Sequence, residues 1–293
     1  MSTPNFRFRQ FEVYHDRCAM KVGTDAVLLG AWCPLPSPPL LDSSVAPSGG
    51  NLTEGAAVLD IGTGSGVIAL MLAQRLHSQR EALIGRQPSQ REAIHAIDID
   101  PEAVEQASEN FARSPWADSL SAEYISLQDF VKKQVNKPLG TTSGSAAQQA
   151  EGTTSPQGFS LIVSNPPYFR DSLRNPDPQR REARHADSLT YEELIAGAAT
   201  LLVDNGLLGL VLPAEAEDMI MSLAAEYGLY AEQILYVRTT PDKAPKRILI
   251  AFRKSTSPLP LRGKGTGKGA LILSDSTHPR TPEYAALTRD FYL

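Results

Sequence analysis

Three scarcities narrow the field before any motif is read. Cysteine occurs only twice in 293 residues, as Cys18 and Cys33. That is too few for a disulfide framework or a cysteine-only metal site, so both are expected to be reduced and either buried or incidental. Long apolar runs are missing too: stretches such as Gly206 to Leu212 stop well short of the roughly 20 residues that span a bilayer. Met1 to Arg9 alternates aromatic and basic residues and lacks the apolar core and cleavage site of a secretory signal, so the cytoplasm is the expected compartment. Nor is there an excess of positive charge. With 28 Lys and Arg against 33 Asp and Glu, the net charge of -5 excludes a highly basic architectural nucleic-acid binder.

What remains is ordinary globular material, 42% hydrophobic and 21% charged. Basic residues nevertheless group locally: Arg7, Arg9, Arg17 and Lys21; Arg170, Arg174, Arg180, Arg181 and Arg184; Lys243, Lys246 and Arg247. Each group taken alone reads equally well as solvated loop charge. The length suits two domains or one large α/β domain with extensions. Short β-like runs at Ala57–Ile61, Ala93–Ile97, Ala122–Ser126, Phe159–Val163, Leu207–Leu212 and Arg247–Phe252 alternate with helical periodicity over Val67–His77, Pro101–Arg113, Thr190–Leu202 and Glu215–Tyr227. Strands separated by such helices predict an α/β fold with a mostly parallel, doubly wound sheet. Residues 34–55 and 136–158 are rich in turn formers and small polar residues and are expected to be flexible insertions, as is the polar stretch near 78–92. Residues 1–33 then form an N-terminal segment and residues 56–293 the main domain.

The first strand of that domain runs into Asp60-Ile-Gly62-Thr-Gly64-Ser-Gly66, on the strand-to-helix turn where open sheets place ligands. Glycines there permit a tight turn and close approach of a ligand. A dinucleotide loop would want its third glycine at Val67, and a carboxylate at Asp60 suits a cationic ligand better than a pyrophosphate. The next strand ends at Asp98, whose carboxylate can accept from both ribose hydroxyls. The one after leads to Asp129 and Phe130, where a carboxylate could take an adenine amine and a ring could cover the base. A lone aspartate at a strand end is most often a helix N-cap; three in order after successive strands favour a ligand site.

At the fourth strand end stands Asn165-Pro166-Pro167-Tyr168. Two prolines alone would make a rigid turn. The same residues also suit chemistry on a planar amine. The Asn165 side-chain oxygen and the Pro166 carbonyl can both accept from one amino group, and Tyr168 can stack on the flat substrate.

These two motifs together resemble the S-adenosylmethionine-dependent N-methyltransferases, whose fold is a seven-stranded sheet with one antiparallel strand near the C-terminus. The tetrapeptide serves both adenine-N6 enzymes and enzymes that methylate a protein glutamine amide. The N-terminal stretches Phe6 to Phe11 and His15 to Trp32, together with Asn110 to Trp116 and Asp290 to Leu293, resemble the bacterial valine-tRNA adenine-N6 methyltransferases. That resemblance implies S-adenosylmethionine as cofactor, tRNA as partner and methylation of the adenine at tRNA position 37, with no metal required. It places residues 1–33 over the cofactor site, with Thr24 and Asp25 the expected contacts to the methionine end. The full expectation is then cofactor binding by Thr24, Asp25, Asp60, Gly62, Gly64, Gly66, Asp98, Asp129 and Phe130. Catalysis is expected from Asn165, Pro166 and Tyr168, with substrate contacts from Pro167, Phe169, Arg170 and Arg184. His15 and His185 are weaker candidates as bases, since the extra proton can leave to solvent after transfer. A protein glutamine-amide methyltransferase and a non-catalytic RNA-binding protein remain as alternatives.

Overall fold

The structure, a computed structural model, describes residues 4–36, 58–84, 93–136, 158–167, 189–258 and 268–293. A two-stranded hairpin, β1 (Asn5–Arg7) and β2 (Glu12–Tyr14), opens the chain and leads to helix α1 (Thr24–Trp32). There follow β3 (Val58–Ile61), α2 (Val67–Ile84), β4 (Ile94–Asp98), α3 (Pro101–Ala112), β5 (Leu120–Tyr124), α4 (Leu127–Val135) and β6 (Phe159–Ser164). The chain continues through α5 (Tyr191–Leu201), β7 (Leu202–Pro213), α6 (Glu217–Glu226), β8 (Leu229–Arg238), β9 (Arg247–Lys254), β10 (Lys268–Ile272) and α7 (Pro282–Thr288).

The main sheet has the order β10-β8-β9-β7-β6-β3-β4-β5, and β9 alone runs against its neighbours. The doubly wound α/β architecture is therefore the expected one, with eight strands in place of seven. The extra strand, β10, pairs in parallel with β8 at the sheet edge. Its five residues are mostly exposed, so no alternation of apolar and polar side chains marked it in the sequence.

Period-two alternation sends successive strand residues into two cores. Val58, Leu161, Val163, Leu207 and Val211 face α1, α2 and α3, whereas Leu59, Ile61, Ile162, Leu208 and Leu210 face α4, α5 and α6. Helix starts follow local chemistry. Asp100 caps α3 by accepting from the Glu102 and Ala103 backbone N–H groups, with Pro101 in the first turn, and Thr190 with Glu193 forms a reciprocal capping box on α5. The stretch from Ser78 begins as helix, because α2 continues to Ile84, seven residues past the expected end. The remainder of that expected insertion and most of the other two lie outside the described residues.

Helix α1 belongs to the core and is no loose appendage: Val27, Leu28 and Leu29 are buried beside α2. The hairpin is fastened to the far end of the chain. The Arg9 backbone N–H donates to the Phe291 carbonyl (2.9 Å) and its Nε to the Tyr292 carbonyl (2.6 Å), while the Phe8 ring stacks on both Phe11 and Tyr292. Among the described residues no helix is long and apolar enough to cross a membrane.

Candidate active site

The chain visits β3, β4 and β5 outward and then returns to place β6 on the other side of β3. Ligands of open sheets bind at such a reversal, outside the carboxyl ends of the strands. In register Ile61 lies opposite Ser164, whose Oγ donates to the Ile61 carbonyl at 2.9 Å. The glycine loop and the Asn165-Pro166-Pro167 turn are thus neighbours, though about a hundred residues apart in sequence. Between them opens a cleft of about 570 Å3, within the usual size range of small-molecule sites.

Gly62, Gly64 and Gly66 hold φ of 69°, 54° and 79°, the left-handed region that disfavours side chains. Their surroundings divide them. A Cβ on Gly62 or Gly64 would meet nothing within 4 Å, and both residues line the cleft. A Cβ on Gly66 would sit 2.5 Å from the Phe111 ring, so this glycine lets α3 pack against the loop and does not line the cleft.

Asp98 lies on the cleft wall. Its Oδ2 accepts from the Gly64 N–H at 2.8 Å and its Oδ1 from the Asp100 N–H at 3.0 Å. Each carboxylate oxygen has a second lone pair, so both can still accept from a bound hydroxyl. This carboxylate both shapes the loop and offers the acceptors that a ribose needs.

Asp60 corrects the expectation of a carboxylate facing a cationic ligand. It points from β3 into the core beneath the loop, fully buried, where its Oδ2 accepts from Thr63 Oγ1 at 2.8 Å, and it does not line the cleft. Burial pushes its carboxyl up to about 7 against the ordinary 3.8, partly offset by the Thr63 bond and reinforced by Asp98. The folded protein therefore binds this proton more tightly than the unfolded chain. The group's contribution to stability falls as pH rises from about 4 to about 7 and is level above that. Asp60→Asn has no proton to lose. Its melting temperature should fall less than that of the wild type across the same pH interval in thermal scans; parallel profiles would remove Asp60 as the cause.

Asp129 and Phe130 also sit elsewhere than expected. Ser126 caps α4, accepting from the Asp129 N–H and donating to its carboxylate, which also pairs with Lys132 at 2.9 Å on the surface. The Phe130 ring is 1% exposed and stacks on His95 in the core. The cleft is met here by Ile125, Ser126, Leu127 and Gln128, just before them.

Asn165, Pro166 and Pro167 line the cleft at the end of β6. Tyr168, Phe169, Arg170, Arg184 and His185 lie outside the described residues, with the rest of the arginine group between them. From the N-terminal segment, Cys18 to Lys21 and Ala26 also line the cleft. Thr24 is exposed at the first position of α1, and Asp25 pairs with Arg247 at 2.9 Å, so neither lines the cleft. His15 is buried, with its Nδ1 accepting from the Val22 N–H at 3.5 Å, which gives it a part in shaping the segment. Cys18, unremarked in the sequence beyond its scarcity, lies on the wall as a thiol. Burial, then Asp100 and Asp98, push it up to about 11.

Comparison with known proteins agrees with this geometry. Residues 92–217 match the family described as Eco57I restriction-modification methylase. Among solved structures, a predicted O-methyltransferase from Agrobacterium tumefaciens superposes with a TM-score of 0.56 at 17% identity, covering 91% of this chain and 96% of the other, a likeness of fold. Similarity to curated relatives extends end to end. The tRNA1(Val) (adenine(37)-N6)-methyltransferase of Bacteroides thetaiotaomicron is 41% identical across 100% of this chain and 99% of its own. That of Flavobacterium psychrophilum is 35% identical across 98% and 99%. The chain belongs to the tRNA1(Val) (adenine(37)-N6)-methyltransferase family.

Proposed function

We propose that this protein transfers a methyl group from S-adenosylmethionine to N6 of the adenine at position 37 of valine tRNA. The observation that carries the reading is the meeting, in one cleft, of the glycine loop and Asp98 with the Asn165-Pro166 turn. Gly62 and Gly64 leave open the space a cofactor needs, and Asp98 offers two acceptors to its ribose. In this reading Ser126, Leu127 and Gln128, which line the cleft, meet its base, and Cys18 to Lys21 complete the lining. When bound, S-adenosylmethionine supplies an electrophilic methyl on its sulfonium.

The chain's own part is positioning and polarisation. Asn165 and the Pro166 carbonyl accept from the two N–H bonds of the target amine, which localises the nitrogen lone pair for attack. Tyr168 stacks on the base and Phe169 extends that contact. Holding the amine in line with the methyl converts an encounter into an effectively intramolecular step. The proton released from nitrogen passes to solvent, and His15, which is buried away from the cleft lining, takes no part. Mass spectrometry of tRNA nucleosides from cells with and without the gene tests the assignment. Loss of N6-methyladenosine from valine tRNA is expected, whereas unchanged tRNA with a newly unmethylated protein glutamine would favour amide methylation.

The tRNA must also be held by its phosphates. Strand β7 runs on to pair Pro213 with Arg247, so the turn between β8 and β9 rises from the same sheet edge as Asn165. It lies two strands from β6, roughly 10 Å at ordinary strand spacing. Lys243 and Lys246 are exposed on it. Binding to unmodified tRNA should weaken as salt rises, and Lys243→Ala with Lys246→Ala should shallow the log–log slope by about 1–2, near 0.7–0.9 for each phosphate no longer neutralised. A slope equal to wild type would move the phosphate-binding surface away from this turn.

A further inference from the structure

We propose that Asn110, which lines no part of the cleft, is the positioning residue that fixes the spacing between its two walls and thereby the capture of cofactor. An asparagine in a helix interior costs helix stability relative to alanine, and a buried amide is tolerated only when its polar atoms are bonded. Asn110 sits in the last turn of α3, two residues before Ala112, at 0% exposure, and its side chain is engaged in three bonds to backbone. Oδ1 accepts from the Tyr14 N–H at 3.0 Å. Nδ2 donates to the Tyr14 carbonyl at 2.8 Å and to the Ser65 carbonyl at 2.9 Å. One amide therefore pairs with both backbone polar groups of Tyr14, as a neighbouring strand would, and spends its remaining N–H on the glycine loop.

The two segments so joined both supply lining of the cleft: Ser65 lines it directly, and four residues after Tyr14 the chain enters the lining stretch Cys18 to Lys21. Contacts on either side of Asn110 run the same way. Its neighbour Phe111 packs where only a glycine at position 66 leaves room. Arg17 pairs with Glu105 and Glu109 on the same helix, and the Arg113 guanidinium lies 4.7 Å above the Tyr14 ring. Helix α3 thus abuts both segments, and Asn110 bonds the glycine loop at Ser65 and the N-terminal segment at Tyr14.

The proposal rests on the assigned cofactor, and its test separates the two. The full-length protein is titrated calorimetrically with S-adenosylhomocysteine, and single-turnover methylation of tRNA is followed across S-adenosylmethionine concentrations. Asn110→Ala is expected to raise the dissociation constant and the half-saturating cofactor concentration about tenfold or more, with the saturated rate held within about threefold. Asn110→Asp should match it, since its second oxygen would face the Tyr14 and Ser65 carbonyls. A drop in saturated rate at unchanged half-saturation, or a lowered melting temperature with unchanged affinity, overturns the proposal.

Should the variants not fold, amide hydrogen exchange of the wild type decides. Residues 12–22 are expected to gain protection together with the glycine loop when S-adenosylhomocysteine binds. Protection of the loop alone overturns the coupling. Failure of the wild type to bind S-adenosylhomocysteine would instead strike at the assigned function.

Discussion

Asn165→Ala is expected to lose on the order of 100-fold or more in single-turnover methylation at saturating cofactor, the size seen when one preorganised hydrogen-bonding group is removed from a reacting centre. Affinity for S-adenosylhomocysteine should stay near wild type, because the glycine loop and Asp98 belong to different strands and are left intact. The loss falls on rate because the amine becomes more acidic as its nitrogen takes up the methyl. A bond to Asn165 therefore strengthens toward the transition state. Asn165→Asp retains an acceptor and should retain part of the activity. At Tyr168, replacement by alanine should weaken both RNA binding and rate, while replacement by phenylalanine keeps the stacking ring. Wild-type chemistry in Asn165→Ala would mean that the Asn-Pro-Pro sequence is only a turn.

Asp98→Ala should show the converse pattern, a loss of cofactor affinity. Removing a charged acceptor from two ribose hydroxyls costs about 1.5–3 kcal/mol, or roughly 10- to 150-fold in dissociation constant. The upper part of that range is expected, because the Gly64 and Asp100 N–H groups lose their acceptor at the same time. Calorimetry with S-adenosylhomocysteine on variants of native melting temperature reads this directly. Undiminished affinity would exclude Asp98 from the ribose site.

How far the site was legible in the sequence depended on whether its causes were local. The glycine loop, Asp98 and the Asn165 turn are strand-end features whose meaning lies within a few residues, and each reaches the cleft. Phe130 was assigned to the site by its place after a strand, yet Ser126 caps a helix that starts at Leu127, and helical geometry turns Phe130 to His95. The Ser126-x-x-Asp129 spacing was the signal for that cap. Asp60 was placed by its charge, whereas strand alternation already put it on the same face as buried Val58. The partner that takes Asp25 is Arg247, 222 residues away, and no local pattern could disclose it. Asn110 left a trace, a polar amide on the buried face of an otherwise amphipathic helix.

The stacking of Phe8 between Phe11 and Tyr292, with Arg9 bonded to the last residues, makes the order of synthesis matter. The hairpin's own strands pair at once, but Phe8 and Arg9 meet Phe291 and Tyr292 only after a further 283 positions have been synthesised. Until then the stretch Cys18 to Lys21 is held through α3 and through α1, without the tie to Phe291 and Tyr292. A nascent chain can assemble its central sheet as it lengthens, but it acquires a fully fastened cleft only after residues 291 and 292 have been made.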